Sequence, residues 1–377
     1  MVKFLHTADW QLGMTRHFLA GEAQARFDGA RIDAIRTIGA VAVDEGCSFA
    51  VVCGDVFESN QVSRQVILRA FEAMAATPQV VFYLLPGNHD PLDASSVYSS
   101  AAFAEHRPDN LVVLERSSPI ETASGVKLVP APWLTKRPLT DLVADACDTL
   151  EAGGEMRIVV GHGALDTRSP DQSNPALISR SSLEERIDTG QIHYVALGDR
   201  HSTTDEGRSG RIWYSGAPEP TDYDEDDPGN ALVVTLDADQ ASVQRRPVGA
   251  WRFLQKDWEL TGDADLDALE DWLSNIEGKD RAIVKLALVG QVSLAQKARL
   301  DTLIELHSDL LAALESWERR SELAVVPDDV DLTALGLSGF AAEALEDLEA
   351  QAESSGEQAV AARDAMALLH RLVGAAS

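Results

Sequence analysis

Asp199 and His201 stand one residue apart in LGDRHS, directly after the apolar run Tyr194-Val195-Ala196-Leu197. Four other apolar runs end in the same kind of turn. HTADWQLG carries Asp9 and Gln11, CGDVFES carries Asp55, LPGNHD carries Asn88, His89 and Asp90, and VVGHGAL carries His162. The i, i+2 spacing of Asp9 with Gln11, and of Asp199 with His201, suits an extended segment whose alternate side chains share one side. Carboxylate, amide and imidazole groups without a thiolate suit hard divalent ions such as Mn²⁺ and Mg²⁺. A two-metal centre also needs a carboxylate that bridges ions about 3.5–4 Å apart. Asp55, in a tight Gly-Asp turn, is the candidate. Glycines flank most of these residues, which lets backbone approach closely and turn sharply.

Taken singly, Asp9 reads equally well as a turn aspartate and Asp55 as a helix cap. Asp90 is expected to cap the following segment or to orient His89. His6 and His193 fall on strands and read as structural. Arg200 and Arg208 lie near the fifth loop, where they could meet a phosphate or simply be solvated.

The elements that must hold these loops alternate. Phe49 to Cys53, Val80 to Leu85, Ile158 to Val160 and Tyr194 to Leu197 read as buried strands, and Arg26 to Glu45 and Arg64 to Ala76 as helices. That is an α/β pattern, in which functional groups gather on the turns that follow the strands. Past Pro247 a smaller α/β module is expected: strands at 251–261, 282–289 and 323–326, and helices at 265–276 and 294–319. The chain therefore divides into residues 1–250, 251–327 and 328–377. The last part is an acidic linker followed by two Ala-rich helices, 339–351 and 358–374. At helical spacing, Phe340, Leu345 and Leu348 form one apolar face, and Met366, Leu369 and Val373 another.

At 377 residues, 45% apolar and 25% charged, the composition is that of a globular protein. No run reaches the roughly 18 apolar residues of a membrane span, and the first residues lack the pattern of a signal peptide. Cys47, Cys53 and Cys147 show no metal or redox spacing, which points to the cytoplasm. The formal charge of −29 argues against a broad basic nucleic-acid surface. A phosphate substrate met by metal ions in a cleft remains compatible with it.

The ordered pattern D-x-Q, GD, GNHD, GH, GDxH resembles the calcineurin-like metallophosphoesterase superfamily. HTADWQLG, GDVFES, PGNHD and YSGAPEP are most similar to the SbcD-type DNA repair exonucleases. The resemblance implies a four-layer αββα sandwich followed by a small α/β capping module and C-terminal helices. By position it places Asp9, Gln11, Asp55 and His201 around one metal, and Asp55, Asn88, His162 and Asp199 around the other. It makes His89 the acid that protonates the leaving oxygen. Two positions depart from the family pattern, because Gln11 and Asp199 stand where histidines are usual. Three carboxylates then face two divalent ions, which should weaken the ions as Lewis acids.

The implied activity is a Mn²⁺- or Mg²⁺-dependent DNA phosphodiesterase, an exonuclease of double-strand-break repair. Its implied partner is an SMC-like, SbcC-type ATPase that docks on the C-terminal helices; a homodimer is left open. Two alternatives stand beside it: the same chemistry on a non-DNA phosphodiester or phosphomonoester, and a metal-poor, non-catalytic scaffold subunit. The stretch Trp213 to Glu225 supports the kinship but assigns no ligand.

Overall fold

The computed structural model describes residues 1–150, 154–325, 339–352 and 356–374. It divides into two compact units, one of Met1–His17 and Gln24–Trp251, the other of Phe18–Ala23 and the chain from Arg252 onward.

In the first unit, strands β1 (Val2–Thr7), β2 (Phe49–Cys53), β3 (Val81–Leu85) and β4 (Leu111–Val113) run parallel. The antiparallel pair β11 (Asn230–Leu236) and β12 (Ala241–Pro247) completes a six-stranded sheet, in the order β12-β11-β1-β2-β3-β4. A second sheet is built from β5 (Ile120–Glu121), β6 (Lys127–Pro130), β7 (Arg157–His162), β8 (Tyr194–Gly198), β9 (Thr204–Glu206) and β10 (Ile212–Tyr214). Its order is β5-β6-β7-β8-β10-β9. All five residues of β2 and all six of β7 are buried, as strands covered on both faces must be.

Three apolar clusters divide the unit into four layers. The first lies between the first sheet and helices α1 (Glu22–Asp44) and α2 (Arg64–Ala75), where Ile35, Ile38, Ile67 and Phe71 meet Leu5, Val52 and Leu84. The second lies between the sheets, with Phe4, Phe49, Val51 and Tyr83 against Ile158, Val160, Tyr194 and Ala196. Phe4 stacks on Phe49 at 5.3 Å and meets Tyr194 edge-on at 5.5 Å. The third covers the outer face of the second sheet with Val143, Leu183 and Ile187. Val143 belongs to α4 (Leu142–Cys147), which follows the short α3 (Ala101–His106), and the other two to α5 (Arg180–Asp188). This is the αββα sandwich expected from the sequence. No helix among the described residues is long and apolar enough to cross a membrane.

The second unit has a four-stranded parallel sheet around β14 (Ala282–Val292), which pairs with β13 (Arg252–Leu260), β15 (Ala313–Ser316) and β16 (Glu322–Val325). Helices α6 (Asp263–Ser274) and α7 (Leu294–Leu310) complete it, and a capping box between Ser293 and Gln296 starts α7. The sequence pattern carries this helix on to Arg319, but the structure ends it at Leu310 and makes residues 313–316 a strand. No glycine or proline marks the stop. Pairing decides it: Ala312 N–H donates to the carbonyls of Lys279 and Ala282, and β15 then occupies a free edge of β14.

Two further helices, α8 (Phe340–Ala352) and α9 (Glu357–Gly374), follow. Leu345 and Met366, placed by spacing on apolar faces of these helices, are buried among Leu266, Leu269, Leu273 and Leu303 of the same unit. Leu348 and Leu369 pack against that cluster, whereas Phe340 is 85% exposed. An apolar stripe is legible from sequence, but which surface it covers is not. The side chain of Val373 lies outside those described.

His6 joins the two sheets of the first unit. Its Nε2 lies 3.1 Å from the Leu197 carbonyl and its Nδ1 3.3 Å from the Tyr194 hydroxyl. Burial pushes its pKa down to about 3, against a smaller upward pull from the Leu197 carbonyl. The folded state therefore refuses a proton that the unfolded chain accepts below about pH 6.5. Stability from this group is complete above that pH and falls by about 1.4 kcal/mol per pH unit as pH drops toward 3. In denaturant unfolding between pH 4 and 6, His6→Gln should lower the pH slope by about one proton. An unchanged slope would contradict this account.

Candidate metal centre

The five chemistry-bearing turns converge at the carboxyl ends of β1, β2, β3, β7 and β8. Among the described residues, five non-glycines have φ in the left-handed region. Four are at this place: Asp9 (53°), Gln11 (45°), Asp55 (50°) and Asp199 (97°); the fifth is Asp227. Such conformations cost about 1–3 kcal/mol each unless the surroundings impose them, and they cluster at functional sites. Here backbone bonds impose them: Asp9 N–H donates to the Gly54 carbonyl, and Gln11 N–H to that of Asp55.

Ligand atoms of Asp9, Asp55 and His162 all lie within 4.8 Å of one another, and all three residues are buried. His162 Nδ1 lies 2.8 Å from the Cys53 carbonyl, so Nδ1 carries the hydrogen and Nε2 faces the cluster. Nε2 is 3.4 Å from Asp55 Oδ1, 3.8 Å from Asp199 Oδ1 and 2.6 Å from Asn88 Oδ1. Turned over, the Asn88 amide would instead donate to Nε2 and to both oxygens of Asp55. Its orientation thus depends on whether a cation or a donor is needed at the centre. Asp199 N–H donates to both oxygens of Asp9 at 3.1 Å.

Electrostatics follow from burial. The Asp9 carboxyl is pushed up to about 7, chiefly by burial and only partly relieved by His201 and His162. Burial also raises Asp199. It would raise Asp55 too, but His162 and His89 hold that group below the usual range. For His162, burial alone would lower the pKa; Asp55 and Asp9 reverse the shift and raise it.

Gln11 and His201 form the other side. Gln11 Nε2 donates to His201 Nε2 at 3.0 Å, and Gln11 Oε1 is buried with no hydrogen-bond partner among the described residues. An unpaired buried acceptor costs about 1–3 kcal/mol. Together with clustered carboxylates, it makes an acceptor-rich pocket that a hard divalent cation would satisfy. The donor set fits such ions, and no thiolate intrudes.

His89 stands at the rim, its side chain 39% exposed. Its Nδ1 donates to the Glu58 carbonyl at 3.0 Å, leaving Nε2 on the cleft side, 3.9 Å from Asp55 Oδ2. His89 N–H donates to Asp55 Oδ1 at 2.9 Å. Asp90 accepts from Gly87 N–H, Phe57 N–H and the Tyr98 hydroxyl, so it clamps this loop. Arg208 is engaged by Asp188, and Arg200 donates to Thr204. His193 Nδ1 accepts from Arg157 N–H.

Sequence reasoning missed three neighbours. Trp133 Nε1–H donates to the His162 carbonyl at 2.8 Å, and its ring stands edge-on to the imidazole. Thr221 and Glu225 reach His201 Nδ1 at 2.7 and 3.0 Å. All three lie far in sequence from the loops they support. The only signal was the unassigned proline-rich stretch ending at Glu225.

The calcineurin-like phosphoesterase profile matches residues 2–235. The chain belongs to the calcineurin-like phosphoesterase family, and its reaction class is phosphoester hydrolysis. A curated relative is the SbcD component of the SbcCD nuclease of Rhodobacter capsulatus, 31% identical over 94 residues. That stretch is 24% of this chain and 22% of the relative, so less than a quarter of the relative's length is spanned. Among solved structures, a Thermus thermophilus protein aligns at TM-score 0.40 and 10% identity, over 65% of this chain and 98% of its own. A dimetal phosphatase from Danio rerio aligns at TM-score 0.40 and 13% identity, over 66% of this chain and 96% of its own. A purple acid phosphatase from yellow lupin aligns at 0.37 and 11%, over 66% and 51%.

Gly54 makes a sharp test of this packing. With φ at +88°, a Cβ there would lie 2.2 Å from His162 Nδ1. Gly54→Ala should push the imidazole out and weaken Mn²⁺ binding in calorimetric titration by about tenfold or more. Gly29→Ala, with open space around the position, should leave binding unchanged. Equal affinities in both variants would show that His162 does not hold metal.

Proposed function

We propose that this chain is a divalent-metal-dependent DNA phosphodiesterase, an exonuclease of double-strand-break repair that works with an SMC-like ATPase. The observation that carries the DNA reading is the likeness over 94 residues to a component of a nuclease; the five-loop centre supports the hydrolytic chemistry. Asp9, Gln11, Asp55 and His201 would hold one ion, and Asp55, Asn88, His162 and Asp199 the other, with Asp55 between them. Mn²⁺ is the ion proposed, with Mg²⁺ next. Divalent ions in such a site supply Lewis acidity to the phosphate oxygens and the attacking water.

The chain's own residues do the rest. Asp199 N–H and the Asp9 carboxylate lock the first and fifth loops together. His89, tethered through Nδ1 to the Glu58 carbonyl, would as the imidazolium deliver its Nε2 proton to the departing oxygen. The half-exposed His89 does not by itself distinguish a phosphodiester, which carries a second ester group on phosphorus, from a phosphomonoester. The substrate class therefore rests on the relative.

Charge points to a partner. A net charge of −29 disfavours DNA binding by the chain alone, and a partner would supply clustered lysine and arginine. An SMC-like ATPase would supply them by docking on α8 and α9. Because Leu345 and Met366 are buried within their own unit, the docking face would use Phe340 and Leu368, which are exposed. Phe340→Asp with Leu368→Asp should abolish co-purification with the ATPase without lowering the melting temperature. Retained binding would place the interface elsewhere.

Digestion of single- and double-stranded DNA in Mn²⁺, beside a phosphomonoester control, tests the activity. Asp55→Asn should leave less than about a tenth of the wild-type rate. His89→Asn should keep metal but lose about 10²–10⁴ in rate. Hydrolysis of the phosphomonoester alone would favour the non-DNA reading. Absence of both activities, with no metal uptake in millimolar Mn²⁺, would favour a scaffold.

A further inference from the structure

The loop between β10 and β11 contains the stretch that found no role in the sequence. It ends in a carboxylate aimed at a candidate ligand. Glu225 Oε1 lies 3.0 Å from His201 Nδ1, with Thr221 Oγ1 2.7 Å from the same nitrogen. Thr221 Oγ1 donates its own hydrogen to Glu225 Oε1. It can therefore only accept from the imidazole, as the carboxylate does. On the opposite side, Gln11 Nε2 is an amide donor, 3.0 Å from His201 Nε2. All three partners agree on one tautomer: Nδ1 carries the hydrogen and Nε2 offers its lone pair to the centre.

The carboxylate is itself fixed. Only 7% of the Glu225 side chain is exposed. Thr221 N–H donates to both its oxygens, at 3.1 and 2.9 Å. Two arginines hold the loop backbone from below. Arg16 donates to the Thr221 carbonyl, and Arg31 donates to the Pro220 carbonyl at 3.1 Å and to that of Trp10 at 3.1 Å. Glu219 closes the loop's other flank by accepting from Ala250 N–H and Trp251 N–H, at 2.9 and 3.0 Å.

We infer that Glu225 is a positioning residue: through Nδ1 it fixes the tautomer and rotation of His201, and so sets that residue's ability to hold one of two divalent ions. The inference rests on the metal-centre reading above. It needs neither DNA nor a partner. Carboxylates that accept from the outer nitrogen of a ligating histidine fix its ring and raise its basicity, and their loss costs about 10–100-fold in metal affinity.

Two measurements on the full chain test it, and they fail separately. In metal-free protein labelled with ¹⁵N-histidine, long-range ¹H–¹⁵N spectra should show His201 with Nδ1 protonated and Nε2 bare. Glu225→Ala and the bulkier Glu225→Leu, either of which suffices if the other fails to fold, should give mixed tautomers. Glu225→Gln, whose amide oxygen can still accept, should keep the wild-type pattern. In calorimetric titration with Mn²⁺ alone, wild type should take two ions. Glu225→Ala or Glu225→Leu should weaken one site about 10–100-fold and spare the other, with Glu225→Gln within a few-fold of wild type. An unchanged His201 tautomer together with unchanged affinities in the apolar variants would overturn the inference. Failure of wild type to take up Mn²⁺ would instead sink the metal-centre reading, and the spectra would still decide the role of Glu225.

Discussion

Burying carboxylates side by side with an imidazole is the constraint that organises this molecule. Asp9 is fully buried and Asp55 nearly so, and both lie within ligand distance of His162. Charged groups removed from water need compensation, and here neighbouring backbone N–H groups and imidazoles provide only part of it. The Asp9 carboxyl pushed up to about 7 is the trace of what remains. A centre of this kind cannot relax by collapsing, because its walls are the ends of five strands in two tightly packed sheets.

Most of the surrounding structure resists the two easy escapes, rotation of the side chains and loosening of the loops. Asp9, Gln11, Asp55 and Asp199 all have left-handed backbone, and hydrogen bonds between the loops hold it in place. Gly87 illustrates how little room is left: a Cβ there would meet Asp55 Oδ1 at 2.2 Å and its backbone nitrogen at 2.5 Å. Outer partners do the same for the imidazoles. The Cys53 carbonyl sets His162, the Glu58 carbonyl sets His89, and Glu225 with Thr221 contacts His201.

Much of this was legible in the chain. β2 spans Phe49–Cys53 as its apolar run implies, and α2 begins at Arg64 behind the capping Ser63. Strands buried on both faces announce themselves by continuous apolar sequence. The turns after them carry polar groups that no packing argument explains. Other features were not legible, for distinct physical reasons. Two-residue β5 is too short to leave a period. β15 is a strand because an edge of β14 lacked a partner, which local propensity cannot report. Glu225 was invisible because a supporting carboxylate looks like any other acidic residue until the loop that carries it is folded against the site.

The strand order has a consequence for how the molecule comes into being. β1 is the first strand made, yet it is central: β2 pairs with one edge and β11 with the other, His6 opposite Leu232. During synthesis one edge of β1 stays open until more than two hundred further residues have emerged. Asp9 meets the amide of Asp199 only after β8 has formed. The centre is thus assembled late, from both ends of the unit at once. A nascent chain or an early-terminated fragment carries the acidic residues without the geometry that makes them reactive. Pairings between such distant segments form slowly, because the long loop between them must close before the contacts that reward it exist.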